Sequence, residues 1–280
     1  IKIQNKSTEQ IINLSHGAIL CSGSIMTPYL LMHSGIGDKE HLKKFDKEII
    51  IDNSNVGRNL QDHLGLDYLF KTHHHSLNKS LGTWPGRITS VLRYIYNRKG
   101  PLSLSINQSG GYVNWNSKHH YPNLQIYFNP LTYSITHKNK RPLLKTDKFN
   151  GFIIGYNSCR PKSLGRVALN SPNFEDAPLI DPNFLSHEED IYDVKCAINF
   201  SQVLANTNSI KKIRNESVTH DLLNATEEEM IDHFKSNAVS IYHPCGTCKM
   251  DEDPKKGVVS ERLKVHGMEN LWIADASVFP

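Results

Sequence analysis

The sequence lacks a long hydrophobic run, a cysteine-rich pattern and a strong charge imbalance. No apolar stretch in its 280 residues approaches the roughly 18 residues that a membrane-spanning helix needs. Five cysteines are too few, and odd in number, for a disulfide scaffold. Lys and Arg (32) only slightly exceed Asp and Glu (28), and we interpret this excess as scattered. The charge therefore argues against a nucleic-acid binder, which needs a concentrated basic patch.

The chain also shows no initiator methionine, signal peptide or transit peptide. It begins IKIQ, so we interpret it as a piece of a longer protein. We expect a cytoplasmic location, either free or associated with a membrane. With 38% hydrophobic and 21% charged residues, the composition predicts a packed core, in one large domain or two ordinary ones.

Strand-like and helical segments alternate at both ends of the chain. A short apolar run predicts a strand over 18–21, and Thr27-Pro28 predicts the cap and first residue of a helix. A last strand over 271–274 ends at Asp275. The stretch 55–63 has turn residues and no periodicity, so it predicts a loop, and loops often carry function.

The middle of the chain has a different texture. Its strand-like runs do not alternate with helices, and its helical stripe is followed by long polar connections. The predicted elements here are a helix around 88–95, strands over 124–128, 152–156 and 166–169, a helix over 187–205, and a helix after the capping box Thr226–Glu229. This order predicts an α/β domain formed by 1–67 and 237–280, with an α+β domain inserted over 68–236.

Two chain segments can be interpreted as halves of a nucleotide site. Ser22-Gly23 ends a strand before a helix, where backbone can approach a bound nucleotide at the carboxyl edge of a sheet. Asp275 also ends a strand, where its carboxylate can accept hydrogen bonds from ribityl or ribose hydroxyls. A tight turn and a helix cap explain the same residues, and taken alone the residues favour that interpretation over a nucleotide site.

Seven motifs follow one another along the chain: GSIMTPYLLMHSGIG (23–37), GRNLQDH (57–63), RPKSLGRV (160–167), PNFL (182–185), HPCGTCKM (243–250), LKVHG (263–267) and NLWIADASVFP (270–280). Taken together and in order, they resemble the C-terminal half of the glucose–methanol–choline (GMC) oxidoreductase family, flavoenzymes that oxidise alcohols. The cysteine-bearing motif is most similar to choline dehydrogenase-like members. The resemblance runs nearly end to end, which makes it far more specific than one short pattern.

The resemblance implies a fold, a cofactor and an activity. The fold is an incomplete, Rossmann-like α/β FAD-binding domain with an inserted α+β substrate domain built on a mainly antiparallel sheet. The cofactor is FAD, bound by Ser22, Gly23, Asp275 and Ala276. The expected substrate is choline or another primary alcohol, with oxygen or a quinone as electron acceptor, no nucleic-acid partner and a homo-oligomer as one option.

His243 is the candidate catalytic residue, because it occupies the motif position of the family's catalytic histidine. Oxidation of an alcohol by a flavin needs a base for the hydroxyl proton, and imidazole suits that role at neutral pH. Tyr242 and Asn107 are candidate cavity-lining residues, with a core aromatic and a polar loop residue as equally simple interpretations.

Three departures from the family pattern and two functional alternatives accompany this hypothesis. The G-x-G-x-x-G fingerprint is absent, Asp251 replaces the family's usual glycine, and the family's second active-site His or Asn would fall beyond Pro280. The fragment alone is therefore expected to be inactive. The functional alternatives are a hydroxynitrile lyase on the same fold and a non-catalytic, truncated chain.

Cys245 and Cys248, with His187 upstream, imitate the ligand pattern of a zinc deaminase. The acidic, proline-stopped sequence that follows them does not continue into the expected helix, and no fourth ligand lies near. A redox Cys-x-x-C is equally poorly supported, because it needs a thioredoxin-like surround. We therefore predict no metal site.

Overall fold

The computed structural model describes residues 2–5, 8–136, 143–219 and 222–280. The chain divides into two units. The first comprises Ile1–Asp62, Lys162–His187 and Tyr242–Pro280, and the second comprises His63–Pro161 and Glu188–Ile241.

The strands are short in the first unit and longer in the second. In chain order they are β1 Lys2–Asn5, β2 Thr8–Ile11, β3 Ala18–Leu20, β4 Ile36–Gly37, β5 Ile51–Asp52, β6 Arg58–Leu60, β7 Leu64–Lys71, β8 Ser109–Val113, β9 Leu124–Asn129, β10 Tyr133–Thr136, β11 Leu143–Thr146, β12 Gly151–Ser158, β13 Gly165–Ala168, β14 Leu179–Asp181, β15 Val239–Ser240 and β16 Leu271–Ile273.

The helices range from one turn to five turns. They are α1 Gly23–His33, α2 Lys39–Lys43, α3 Leu77–Gly82, α4 Trp84–Asn97, α5 Glu188–Ala205, α6 Asn208–Ile213 and α7 Glu227–Asn237, with 3₁₀ turns at Pro101–Ser103 and Ala276–Val278. Among the described residues, none of these helices combines the length and the apolar character that crossing a membrane requires.

In the first unit, parallel strand pairs lie beside a small antiparallel sheet. β3 pairs with β16 in parallel, and β4 pairs with β5 in parallel. β13 lies between β14 and β6 in an antiparallel sheet. The core packs α1 against these strands and against the segment after 245. Its buried members include Tyr29, Leu31, Leu42, Val167, Cys248, Val258 and Ile273.

Helix α1 begins five residues earlier than the sequence predicts. The Thr27-Pro28 pair predicts a cap and a first helical residue, but the helix starts at Gly23 and contains Pro28 in its interior. Pro28 has no N–H for the carbonyl of Ser24, four residues before it. The hydroxyl of Thr247 donates to that carbonyl instead, at 2.6 Å, so the helix passes through the proline with its backbone satisfied.

In the second unit, one antiparallel sheet has the strand order β15-β7-β12-β9-β8. Helix α5 packs against β12, and α7 packs against α5. The ring of Tyr156 on β12 stacks on Phe234 of α7 with centroids 5.8 Å apart. The predicted capping box of α7 is confirmed, since Thr226 and Glu229 each bond the other's backbone.

The fold class expected from the sequence is confirmed in outline: a mixed α/β chain with a mainly antiparallel sheet in its middle. Two differences stand out. The sequence did not predict β7, an eight-residue strand that pairs with β12 and β15, or the edge strand β8. Residues 162–187 group with the first unit, because β13 pairs with β6, whereas the sequence-based boundaries assign them to the inserted domain.

Candidate functional site

The carboxylate of Asp275 joins the two chain segments that the sequence singled out. Its Oδ2 accepts hydrogen bonds from the backbone N–H of Gly23 at 3.0 Å and from the hydroxyl of Thr27 at 2.6 Å. Its Oδ1 accepts from the backbone N–H of Ser277 at 2.8 Å. The N-terminus of α1 is thereby fixed beside the turn that follows β16.

These hydrogen bonds also set the protonation of the group. Burial alone raises the pKa of Asp275, but hydrogen bonds from Ser277, Thr27 and Gly23 outweigh it and hold the pKa below its ordinary value. Asp275 is therefore an anion at neutral pH, placed at the positive end of α1, where a negative charge is stabilised.

The start of α1 has room for a bound group. Gly23 has φ of +78°, a conformation that favours glycine, and a Cβ added to it would meet no atom within 4 Å. The Ser22 side chain makes no capping bond to the helix. In the first turn, the buried Oγ of Ser24 has no hydrogen-bond partner among the described residues. The parallel strands β3 and β16 both end here, and the edge formed by such strand ends is where the sequence-based hypothesis expects a nucleotide.

The segment that carries His243 runs beside the GRNLQDH motif. Gln61 and Cys245 exchange two backbone hydrogen bonds, N–H to carbonyl, at 3.0 and 2.9 Å. The backbone N–H of His243 donates to Oδ1 of Asp62 at 3.0 Å. The predicted functional loop over 55–63 is thus partly a strand, β6. The carboxylate of Asp62, which follows this strand, fixes the backbone at His243.

The same segment then meets the Asp275 turn. The N–H of Gly246 donates to the carbonyl of Ala276 at 3.1 Å, and the N–H of Cys248 donates to the carbonyl of Ser277 at 2.7 Å. Within the first unit, the structure therefore brings together Ser22, Gly23, Asp275 and Ala276, with His243 three residues before Gly246.

The remaining candidates are placed differently. Tyr242 is 79% exposed and has φ of +64°, an unusual conformation for a bulky residue. Asn107 is an exposed residue of the second unit, between the 3₁₀ turn and β8. Their roles as cavity-lining residues stay predictions.

The two cysteines of the HPCGTCKM motif have unlike surroundings. Cys248 is fully buried in the core of the first unit, and burial raises its pKa far above the ordinary value. Cys245 is half-buried, and burial and the charge of Asp62 raise its pKa. In the part of the chain that the structure describes, no three His, Cys, Asp or Glu side chains group as metal ligands would.

Sequence reasoning missed several residues that hold the site. Thr27 was interpreted as a helix cap, yet its hydroxyl bonds Asp275. Asp62 and Thr247 lie in quoted motifs, but nothing in one sequence shows which backbone atoms they reach. These three hydrogen bonds span 181 to 248 positions, so no local pattern predicts them.

A further pair lies in the second unit. The phenol of Tyr127 on β9 donates to Oδ1 of Asp67 on β7 at 2.7 Å. Gly155 of β12 lies opposite both residues, and a Cβ there would collide with both. Burial raises the pKa of Asp67, an effect that the bond from Tyr127 partly offsets.

Comparison with known families gives two matches that fit this geometry. A family model described as GMC oxidoreductase, C-terminal part, matches residues 161–280, and its N-terminal counterpart matches residues 1–65. The two matches contain every candidate residue of the first unit.

Curated relatives match over nearly the whole chain. An alcohol dehydrogenase (acceptor) from Pseudomonas putida is 33% identical over 99% of this chain and 50% of its own length. An oxygen-dependent choline dehydrogenase from Cronobacter sakazakii is 30% identical over 98% of this chain and 48% of its own. The chain therefore spans about half the length of these relatives.

Solved structures of related proteins also resemble this chain. A formate oxidase from Aspergillus oryzae is 26% identical, with a TM-score of 0.88 over 98% of this chain and 51% of that chain. A pyridoxine 4-oxidase, 23% identical with a TM-score of 0.78, shares the fold.

Proposed function

Because the chain belongs to the GMC oxidoreductase family, we propose that the full-length protein is an FAD-dependent enzyme that oxidises a small alcohol. One observation carries the proposal: the segment bearing His243 is hydrogen-bonded to the Asp275 turn, and Asp275 is hydrogen-bonded to the start of α1. A candidate base and a candidate cofactor site thus lie on one continuous framework. The relatives named as alcohol and choline dehydrogenases support an alcohol as substrate.

The residues at the start of α1 fit the cofactor. Ser22 and Gly23 leave open space beside backbone that a flavin nucleotide can approach. Three of the roughly four acceptor positions of the Asp275 carboxylate are already used by its own chain. We therefore assign Asp275 chiefly to positioning the backbone of Gly23 and Ala276, with one position left for a cofactor hydroxyl.

When bound, FAD supplies the acceptor for the hydride that leaves the alcohol carbon. His243 takes the hydroxyl proton, so that the C–O bond becomes a carbonyl as the C–H bond breaks. Asp62 holds the backbone at His243, which limits the directions in which the imidazole can point. Tyr242 and Asn107 are proposed to contact the substrate.

The proposal extends to the roles of the two units, the substrate, the electron acceptor and the location of the protein. The first unit is the FAD-binding part and the second the substrate-binding part. The substrate is choline or another primary alcohol, the electron acceptor is oxygen or a quinone, and the protein works in the cytoplasm or at a membrane, alone or as a homo-oligomer.

The test uses the full-length protein. It should purify with a flavin absorption spectrum, and mixing it anaerobically with choline or a primary alcohol should bleach that spectrum. Release of cyanide from a hydroxynitrile without bleaching by any alcohol would favour the lyase alternative. A folded protein that binds no flavin would support the non-catalytic alternative and reject the proposal.

A further inference from the structure

Net positive charge is concentrated in one part of the chain, because the acidic residues lie elsewhere, and this corrects the interpretation that the excess is scattered. Residues 68–146 contain 11 Lys and Arg and no Asp or Glu. The remaining 201 residues contain 21 Lys and Arg against all 28 acidic residues, an excess of negative charge. The concentrated segment lies within the second unit and includes helix α4.

Helix α4 exposes its apolar face to the outside. Its packed side includes small residues: Ser90 is buried, and Gly86 lies so close to α3 that a Cβ would stand 2.6 Å from the carbonyl of Lys79. The opposite side is a stripe of large apolar residues, most of them more than half exposed. The stripe comprises Trp84 (76%), Ile88, Val91, Leu92 (59%), Ile95 (66%) and Tyr96 (90%).

Basic residues border this stripe. At about 100° per residue, Arg87 and Arg93 fall on its two sides. Arg98 and Lys99 follow at the C-terminal end, and the exposed Leu102 and Leu104 come next along the chain. Exposed large apolar side chains bordered by polar residues are typical of an interaction surface.

We propose that α4, with the exposed residues 102–104, is a docking surface for an anionic lipid membrane. The apolar stripe would enter the boundary between headgroups and acyl chains, and the bordering Arg and Lys side chains would reach the lipid phosphates. Trp84 and Tyr96 are amphipathic aromatic residues of the kind enriched at membrane interfaces. The inference does not depend on the flavin or on the reaction.

Charge decides among the possible occupants. A second copy of this chain would bring the same acid-free segment against itself, and like charges would repel. A nucleic acid would satisfy the basic residues but leave the apolar stripe without a partner. An anionic lipid surface is complementary to both features.

The test measures binding of the full-length protein to sedimented vesicles. We expect binding to vesicles containing phosphatidylserine, weaker binding to phosphatidylcholine alone, and loss of the difference at high salt. Trp84 should give a blue shift of fluorescence on vesicle addition, identified by comparison with Trp84→Phe because Trp115 and Trp272 also emit.

Two variants separate the two contributions. Leu92→Gln/Ile95→Gln should weaken binding to both vesicle types, by about tenfold for each side chain removed. Arg93→Gln/Lys99→Gln should weaken only the phosphatidylserine-dependent part, by about fivefold for each charge. All these side chains are exposed, so melting temperatures should stay unchanged.

Matched controls lie in the first unit. Leu179→Gln removes an exposed leucine from β14, and Lys44→Gln removes an exposed lysine after α2; both should bind vesicles normally. The proposal is overturned if the parent protein binds no vesicles, or if the controls lose as much binding as the α4 variants. It is also overturned if Trp84 is already shielded from an aqueous quencher without lipid, whether by another part of the protein or by a second copy, or if α4 binds DNA and not vesicles.

Discussion

Thr247 donates its hydroxyl hydrogen bond to the backbone carbonyl of Ser24, at 2.6 Å and across 223 positions of sequence. That carbonyl would bond the N–H of residue 28 in a regular helix, but residue 28 is proline. A threonine of the HPCGTCKM motif thus completes the first turn of α1, at the proposed cofactor edge. Both ends of this contact are buried.

Thr247→Val should therefore destabilise the protein by about 1–3 kcal/mol, because it leaves a buried carbonyl without a donor while keeping the side-chain shape. Thr247→Ser keeps the hydroxyl and should cost about 1 kcal/mol for the lost methyl group. The measurement is the free energy of unfolding from urea titration.

Pro28→Ala supplies the missing N–H, so the cost of Thr247→Val should shrink in that background. Equal costs in both backgrounds would show that the proline and the threonine are not coupled.

The three hydrogen bonds to Asp275 predict a pH-dependent stability. Asp275→Asn keeps the shape but places an amide N–H₂ against hydrogen-bond donors, so it should cost about 2–3 kcal/mol at neutral pH. The pKa of Asp275 is lowered on folding, so its stabilisation is present above the ordinary pKa and lost as pH falls through the lowered pKa.

The difference in unfolding free energy between parent and variant should therefore narrow below about pH 4. The matched control is Asp46→Asn, an exposed aspartate with positive φ that asparagine tolerates. A difference that is constant from neutral pH to pH 3 would contradict the proposed anion.

Local chemistry explains what the sequence predicted well. The α7 capping box depends on residues three apart, so one stretch of sequence contains the whole interaction. The pairing of Gly23 with Asp275 was predicted only through the family resemblance, and the structure shows the hydrogen bond itself.

Long-range compensation explains what the sequence did not predict. The start of α1 was misplaced because Pro28 normally marks a first turn, and Thr247 overrides that preference from a distant segment. The α4 stripe has helical periodicity, but periodicity does not say whether a stripe faces a core or the outside. Gly155 permits the Tyr127–Asp67 bond by the absence of a side chain, which no pattern shows.

Cysteine reactivity should follow burial. Cys21 is exposed, whereas Cys248 is fully buried with its pKa raised by burial, and burial and the nearby Asp193 raise the pKa of Cys159 to about 11. Iodoacetamide at neutral pH should modify Cys21 at least about tenfold faster than Cys248 in the native protein.

Peptide mass spectrometry after timed labelling measures this ratio, and labelling in urea is the control for equal intrinsic reactivity. If a chelator increased labelling at Cys245 and Cys248, the prediction of no metal at these residues would be wrong.

Asp67 should lower stability at neutral pH. Burial raises the pKa of Asp67 in the folded protein. The free energy of unfolding is therefore highest below the ordinary pKa, where the carboxyl is protonated, and it falls as pH rises through the raised pKa. Asp67→Asn keeps an acceptor for Tyr127 and removes the buried charge, so it should raise the melting temperature at pH 7 and have little effect below about pH 4.

Tyr127→Phe tests the same pair from the other side. It removes the hydrogen bond that offsets the burial of Asp67, so it should lower stability at pH 7 more than at acidic pH. If each variant shifted the melting temperature by the same amount at pH 7 and at acidic pH, the charge of Asp67 would not be the cause of the stability changes.

His243→Ala tests the assigned base most directly. General-base assistance typically supplies about 10²–10⁴-fold, so the full-length variant should reduce its flavin with alcohol more slowly by about that factor. The flavin should remain bound, because the backbone contacts that frame the cofactor edge come from Gly23, Asp275 and Ser277 and do not involve the imidazole. The measurement is stopped-flow flavin reduction under single-turnover conditions, with His120→Ala, an exposed histidine of the second unit, as the matched control.

The pattern of losses distinguishes a base from a structural histidine. A base affects the reduction step and leaves the flavin spectrum and melting temperature nearly unchanged, whereas a structural histidine affects all three. The loss would exceed this range if a protonated His243 also stabilised negative charge on the flavin once it is reduced. Asp62→Asn provides a graded comparison: its side-chain oxygen still accepts the N–H of His243, so it should slow reduction far less than His243→Ala. If His243→Ala reduced its flavin as fast as the parent, His243 would have no part in proton removal, and the base would have to be sought among other residues.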